Sequence, residues 1–198
     1  MMRLRHLIPS MPQRLLVLLL MVLGTCALAA DPGRDPGRYF FNQTFGDFSE
    51  ELDTARDQGK TGILLMFEMD ECPFCHRMKA TVLNQPEVQD YFREHFLIFP
   101  VDVEGNIEIV DFQGHPDIQK DFALKQFRVR ATPVFAFFDL DGHLIARYTG
   151  ATRDSEEFIL LGQYVVEGAY KDTTFSQYRR AKRDEARQAA LMPAGNHQ

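Results

Sequence analysis

The chain is poor in the features that most readily assign a function. It holds three cysteines in 198 residues, with no second Cys pair and no H-x₃₋₅-H spacing, so it offers too few ligands for a structural zinc site. No apolar run reaches the roughly 20 residues that a membrane-spanning helix needs. Clustered basic charge is confined to Arg179-Arg180-Ala181-Lys182-Arg183, and Asp184 and Glu185 follow at once, as on a solvated helix face. Neither nucleic acid nor an anionic membrane is therefore expected as a partner, since both require clustered Lys and Arg. Internal repeats and low-complexity tracts are also absent. With 45% hydrophobic and 25% charged residues, the composition fits one globular domain with its own core and some additional chain.

The N-terminus sets Arg3, Arg5 and Arg14 ahead of the apolar run 15–23 and of small residues ending Ala27-Leu28-Ala29-Ala30. Basic, apolar and cleavable in that order, residues 1–29 read as a secretory signal peptide cut near Ala29/Ala30, which would leave the protein periplasmic or secreted. An uncleaved anchor is the alternative, against which the short apolar run argues. A lipoprotein acylated at Cys26 is the other, and Thr25 before it is bulkier than lipid-attachment sites usually accept. Cleavage removes three arginines and no acidic residue, so the formal net charge moves from −6 to −9. It also removes Cys26, leaving Cys72 and Cys75 in a compartment where disulfides form and persist.

Residues 30–45, with DPGRDPGR, read as a flexible lead. Phe48, Leu52 and Ala55 recur at helical spacing up to Gly59. The run Gly62–Met69 is short and apolar, as in a strand covered on both faces. A helix is expected over 73–83 and another from Asn84-Gln85-Pro86 through His95. Residues 96–103 form a second strand in which Pro100 points to an edge or a bulge. Residues 104–115 give no clear signal, and 116–127 read as helical. Val134–Phe138 is a strand, joined through Asp139-Leu140-Asp141-Gly142 to another at 143–148. A long helix follows with Phe158, Leu161, Tyr164, Val165 and Ala169 on one face. The domain is expected over 46–172, with residues 173–198 a peripheral helix and a disordered tail. That alternation of elements makes a mixed α/β sheet with helices on both faces.

The pentapeptide Cys72-Pro73-Phe74-Cys75-His76 carries the chemistry. Cys-x-x-Cys-His is the attachment signature of c-type haem, and Cys-x-x-Cys beside a βαβ pattern is a thiol redox centre. A haem needs a second axial ligand. Met66, Met69, Met78 and Met192 do not lie in a downstream loop suited to it, and His95, His115 and His143 remain as possible ligands. Small haem domains of this kind are mostly helical, whereas this chain has strand-like runs. Copper held by Cys72, Cys75, His76 and Met69 would match soft ligands to a soft ion, against the plainer reading of the methionines as core filler. A purely structural disulfide closing so short a loop would stabilise little.

The thiol reading accounts for more residues, and no metal or other cofactor is expected under it. A strand running into Cys-x-x-Cys and then a helix sets Cys72 at the helix N-terminus, where unpaired N–H groups and the dipole favour its thiolate. Cys75, one turn on and expected to be more buried, can resolve the mixed disulfide. Pro73 suits the first helical turn.

Cys72-Pro73-Phe74-Cys75 after an apolar strand, with Ala131-Thr132-Pro133-Val134 before Phe135-Ala136-Phe137-Phe138-Asp139 and Asp141-Gly142, resembles the thioredoxin superfamily over roughly residues 46–170. The resemblance implies a thioredoxin fold, an active-site dipeptide Pro73-Phe74 and a redox-active Cys72–Cys75 disulfide. It also implies a cis Pro133 against the cysteines, with the Thr132 backbone pairing with an extended substrate. Within the superfamily the chain is most similar to exported SoxW-type thioredoxins, which share a CPxC centre, an extra segment matching Glu104 to Gly114 and a continuation like Tyr164–Tyr170. It departs from ordinary thioredoxin at Met66, where a buried Asp usually assists the resolving thiol; by that resemblance Glu68, interrupting the apolar strand, either substitutes by accepting the Cys75 proton or merely faces solvent at the strand's end. Glutaredoxin also uses CPxC, but Gly150-Ala151 lacks the paired glycines of its glutathione site.

The expected function is thus that of an exported thiol–disulfide oxidoreductase reducing protein disulfides, with a haem or copper carrier as the alternative. Its partners would be a disulfide-containing protein and a membrane electron donor of the thiol-relay type, and the protein would act as a monomer. Asp70 and Glu71 beside Cys72 disfavour its thiolate, which places the potential nearer the thioredoxin end, around −270 mV, than the strong-oxidant end around −120 mV.

Overall fold

The computed structural model describes residues 33–191. The signal peptide expected at 1–29 and the last residues of the tail, from Met192, lie outside that range. Among the described residues no helix is long and apolar enough to cross a membrane.

The chain begins with a one-turn helix α1 (Pro36–Tyr39), then α2 (Phe48–Asp57), β1 (Gly62–Glu68), α3 (Pro73–Thr81), α4 (Pro86–His95) and β2 (Phe96–Asp102). A small ribbon of β3 (Glu108–Val110) and β4 (Pro116–Ile118) leads through the single turn α5 (Gln119–Asp121) into a wide π-type turn, Phe122–Gln126. Then come β5 (Val134–Phe138), β6 (Leu144–Thr149), α6 (Ser155–Val166), a 3₁₀ turn at Ala169–Lys171 and α7 (Phe175–Leu191). The sheet order is β2-β1-β5-β6. β1 runs parallel to β2 and antiparallel to β5, and β6 closes the hairpin with β5.

Alternation along β1 divides the core into two layers, because successive side chains in a strand point to opposite faces. Leu64 and Met66 join Cys75, Met78, Val88, Phe92, Phe158 and Leu161 on the face covered by α3, α4 and α6. Ile63, Leu65 and Phe67 join Phe48, Leu52, Ala55, Phe112 and Phe122 on the other. β5 repeats the division, with Phe135 and Phe137 on the first face and Val134, Ala136 and Phe138 on the second. Two glycines permit close approach. A Cβ at Gly62 would sit 2.0 Å from the Phe138 carbonyl oxygen, and one at Gly162 would sit 2.7 Å from the Tyr91 ring, where α6 lies on α4. Beside that contact Phe92 and Phe158 stack with centroids 4.4 Å apart.

Pro100 lies on an edge strand, as its missing N–H demands. The neighbouring edge groups are covered from the N-terminal side: the Asn42 amide donates to the Ile98 carbonyl at 2.8 Å, and Ile98 N–H donates to Asn42 Oδ1 at 2.9 Å. This corrects the expectation of a flexible lead over residues 34–42. Asp35 accepts the Gly37 N–H and Pro36 opens α1, which turns Phe40 and Phe41 into the core. The helix expected over 116–127 is likewise replaced by β4, α5 and the π-type turn. Asp117 and Gln119 lie outside any apolar stripe, while Phe122 and Ala123 are buried in the core and Phe127 packs against it.

Candidate active site

Three loops meet at one end of the sheet's strands. The register sets Phe67, near the end of β1, opposite Val134, which opens β5, and Val134 opposite Thr149, which closes β6. The β1–α3 loop leading to Cys72, the segment ending at Pro133 and the loop starting at Gly150 therefore share that end. Gly150 N–H donates to the Pro133 carbonyl at 2.8 Å, joining two of them directly. The Thr132–Pro133 peptide is cis.

Cys72 is the N-cap of α3, in extended conformation, with Pro73 at the first helical position. Its Sγ accepts the Cys75 backbone N–H at 3.1 Å. A donor aimed at sulfur favours the thiolate over the thiol, and the helix N-terminus adds its positive end. The two cysteines are disulfide-bonded, with Cα atoms 5.2 Å apart. Each is 2% exposed, so the expected difference in burial is not found. Their asymmetry lies in position, with Cys72 at the cap and Cys75 inside the first turn. Phe74 between them is 60% exposed and makes an apolar surface beside the bond.

Thr132 Oγ1 is buried without a hydrogen-bond partner. Glu68 points to the face that carries α3, as do Leu64 and Met66, and its carboxylate pairs with Lys79 at 2.6 Å. Lys79 stands four residues after Cys75, on the same side of α3. The Glu68 side chain is 15% exposed. Met66 is completely buried in the layer that holds Cys72 and Cys75.

The methionines and histidine near the cysteines have these surroundings. Met78 is fully buried and Met69 packs against the same layer. His76 Nε2 lies 2.7 Å from the Asp70 carbonyl oxygen, to which it donates, and so clasps the loop before Cys72. Arg77 donates to the Thr152 carbonyl at 2.8 Å. Reading the sequence missed Lys79, Arg77 and Thr152. Helical spacing from Cys75 was enough to mark Lys79, but nothing local marks Thr152, which is reached only through the fold.

No curated protein matches the chain. Among solved structures it is similar to a thioredoxin-fold protein from Helicobacter pylori, with 23% identity and a TM-score of 0.53 over 64% of this chain and 86% of that one. It is also similar to the DsbH oxidoreductase, with 19% identity and a TM-score of 0.50 over 65% of this chain and 88% of that one. At such identities the likeness establishes the fold. The thioredoxin-like domain profile matches residues 48–166, which takes in β1, the CPFC turn, Pro133 and α6. By that match, and by a sheet that brings the Cys-x-x-Cys cap and Pro133 to one end of its strands, the chain belongs to the thioredoxin-like family.

Proposed function

We propose that the protein is a thiol–disulfide oxidoreductase that reduces protein disulfides after export from the cytoplasm. The observation that carries this reading is Cys72 at the N-cap of α3, its sulfur receiving the Cys75 N–H. In the reduced protein the Cys72 thiolate attacks one sulfur of a substrate disulfide. A Cys72–substrate disulfide forms, the substrate S–S bond breaks, and the other substrate sulfur leaves as a thiolate and takes up a proton. Cys75 then loses its proton and attacks Cys72 Sγ. The Cys72–Cys75 disulfide forms, the second substrate thiol is released, and two electrons have passed to the substrate.

Glu68 is the proposed acceptor of the Cys75 proton, with Lys79 holding its carboxylate on the α3 side of the sheet. Thr132 and Pro133 are the proposed substrate ledge, and Phe74 the apolar surface against which the substrate lies. Similarity to a protein named as an oxidoreductase supports the chemistry. The signal-like N-terminus supports the export, and the SoxW-type resemblance supports a thiol relay from the membrane as the electron source. Asp70 and Glu71 are both exposed, so solvent screens their effect on Cys72. They still favour a reductant, with a potential nearer about −270 mV than about −120 mV.

The test is equilibration with glutathione buffers of set ratio, counting free thiols, together with an absorption spectrum. A two-electron transition near the thioredoxin end, with no Soret band, is expected. A potential near the strong-oxidant end would reverse the direction, and a Soret band would replace the reading with electron carriage by haem.

A further inference from the structure

Two consecutive residues of α3 reach the loop that follows β6. Arg77 Nη2 donates to the Thr152 carbonyl at 2.8 Å, and the Thr152 hydroxyl lies 3.6 Å from Met78 Sδ while donating to the Asp154 carbonyl at 3.1 Å. Thr152 is completely buried, so this loop does not drift over the surface. Two residues earlier in the same loop, Gly150 N–H holds the Pro133 carbonyl at 2.8 Å. A continuous path therefore runs from the dithiol helix, through Arg77 and the 150–152 loop, to the residue beside which substrate is proposed to lie.

We infer that Arg77 is a positioning residue for protein substrates: its bond to Thr152 sets the spacing between the Cys72 sulfur and the Thr132–Pro133 ledge. The inference rests on the oxidoreductase reading above. The chemistry explains why the effect depends on the substrate. A small disulfide needs only access to Cys72 Sγ. An extended protein segment must meet the sulfur and the ledge at once, so it alone feels a change in their separation. Arginine suits the task because its planar guanidinium keeps a fixed geometry toward a carbonyl oxygen, while its exposed position makes its loss tolerable to the fold.

The experiment compares wild type, Arg77→Met and Arg77→Lys as reductants of insulin and of 5,5′-dithiobis(2-nitrobenzoic acid), with thermal unfolding followed in parallel. Loss of one net hydrogen bond corresponds to roughly a threefold to tenfold change. Arg77→Met should raise KM for insulin by that factor with kcat retained, change the rate with the small disulfide by less than about twofold, and be partly rescued by Arg77→Lys. Equal loss on both substrates, or no change on either, overturns the inference while leaving the oxidoreductase reading standing. A wild-type protein inert toward both overturns that reading and the inference with it. If Arg77→Met does not fold, Arg77→Gln, too short to reach the carbonyl, is judged by the same criteria.

Discussion

Glu68→Gln separates the proposed proton acceptor from a merely structural acid. The substitution keeps the size of a side chain that is 15% exposed and removes the charge that pairs with Lys79 at 2.6 Å. Lys79 is 38% exposed and can turn to water, so the stability cost is discounted for screening to about 1 kcal/mol or less. The kinetic effect is larger. A well-placed general base contributes up to about 10²–10⁴-fold, and water competes here because Glu68 is not sealed from solvent, so about tenfold is expected for the resolving step near neutral pH. The assay preloads Cys72 with a chromogenic thiol as a mixed disulfide and follows its release by Cys75 across pH. As pH rises the resolving thiol depends less on a base to take its proton, and the two proteins should converge. The sign is definite: the variant lags at low pH and catches up at high pH. Equal rates at all pH values would show that Glu68 takes no part, and a constant ratio at all pH values would show that it acts only by shaping the site.

Three further substitutions probe the frame. Arg128 adopts φ 51° where the chain leaves the π-type turn, with its N–H donating to Leu124 and that of Val129 to Ala123; Arg128→Gly should therefore stabilise the fold by about 0.5–1 kcal/mol, and a lowered denaturation midpoint would contradict the strain argument. Burial resists ionisation of Asp111, but the His115 and Gln113 amides and Gln126 outweigh it and hold its pKa below the ordinary 3.8. A lowered folded pKa adds stability that is present above the unfolded value and lost as pH falls through the folded one, so Asp111→Asn should cost about 1 kcal/mol near pH 7 and close on wild type below about pH 4 in urea titrations. Glu157 is buried and takes the Arg153 N–H and the Arg179 guanidinium, fastening α7 to α6; because Arg179 is 34% exposed, Glu157→Gln should cost about 2 kcal/mol rather than the larger penalty of a sealed pair, and an unchanged midpoint would refute that role for the pair.

The parts of the fold visible in the sequence are those where burial is continuous. Gly62–Met69, Phe96–Val103 and Val134–Phe138 are apolar because both faces of the sheet are covered, and the helix at Ser155–Val166 shows its face as a stripe. The insertion between β2 and β5 was opaque for the opposite reason. β3 and β4 are three residues each, partly exposed, and held by pairing with one another, which leaves no periodicity to detect. The lead was misread because DPGRDPGR is turn-forming in composition, yet the same Asp-Pro pair caps a single helical turn that delivers Phe40 and Phe41 to the core. At the site, Cys72, Cys75, Thr132 and Pro133 were visible as motif. Their supports were not, since Lys79 depends on which face of β1 Glu68 occupies, and Thr152 meets Arg77 across 75 residues of chain.

The central claim is that Cys72 attacks and Cys75 resolves. Its most direct test is intact-mass measurement of Cys72→Ser and Cys75→Ser after each is mixed, reduced, with two identical peptides joined by a single intermolecular disulfide. The account predicts a mass gain of one half-peptide on Cys75→Ser and essentially none on Cys72→Ser, because the helix N-cap position and the Cys75 N–H favour the thiolate at Cys72. Equal adducts on both, or an adduct on Cys72→Ser only, would contradict it.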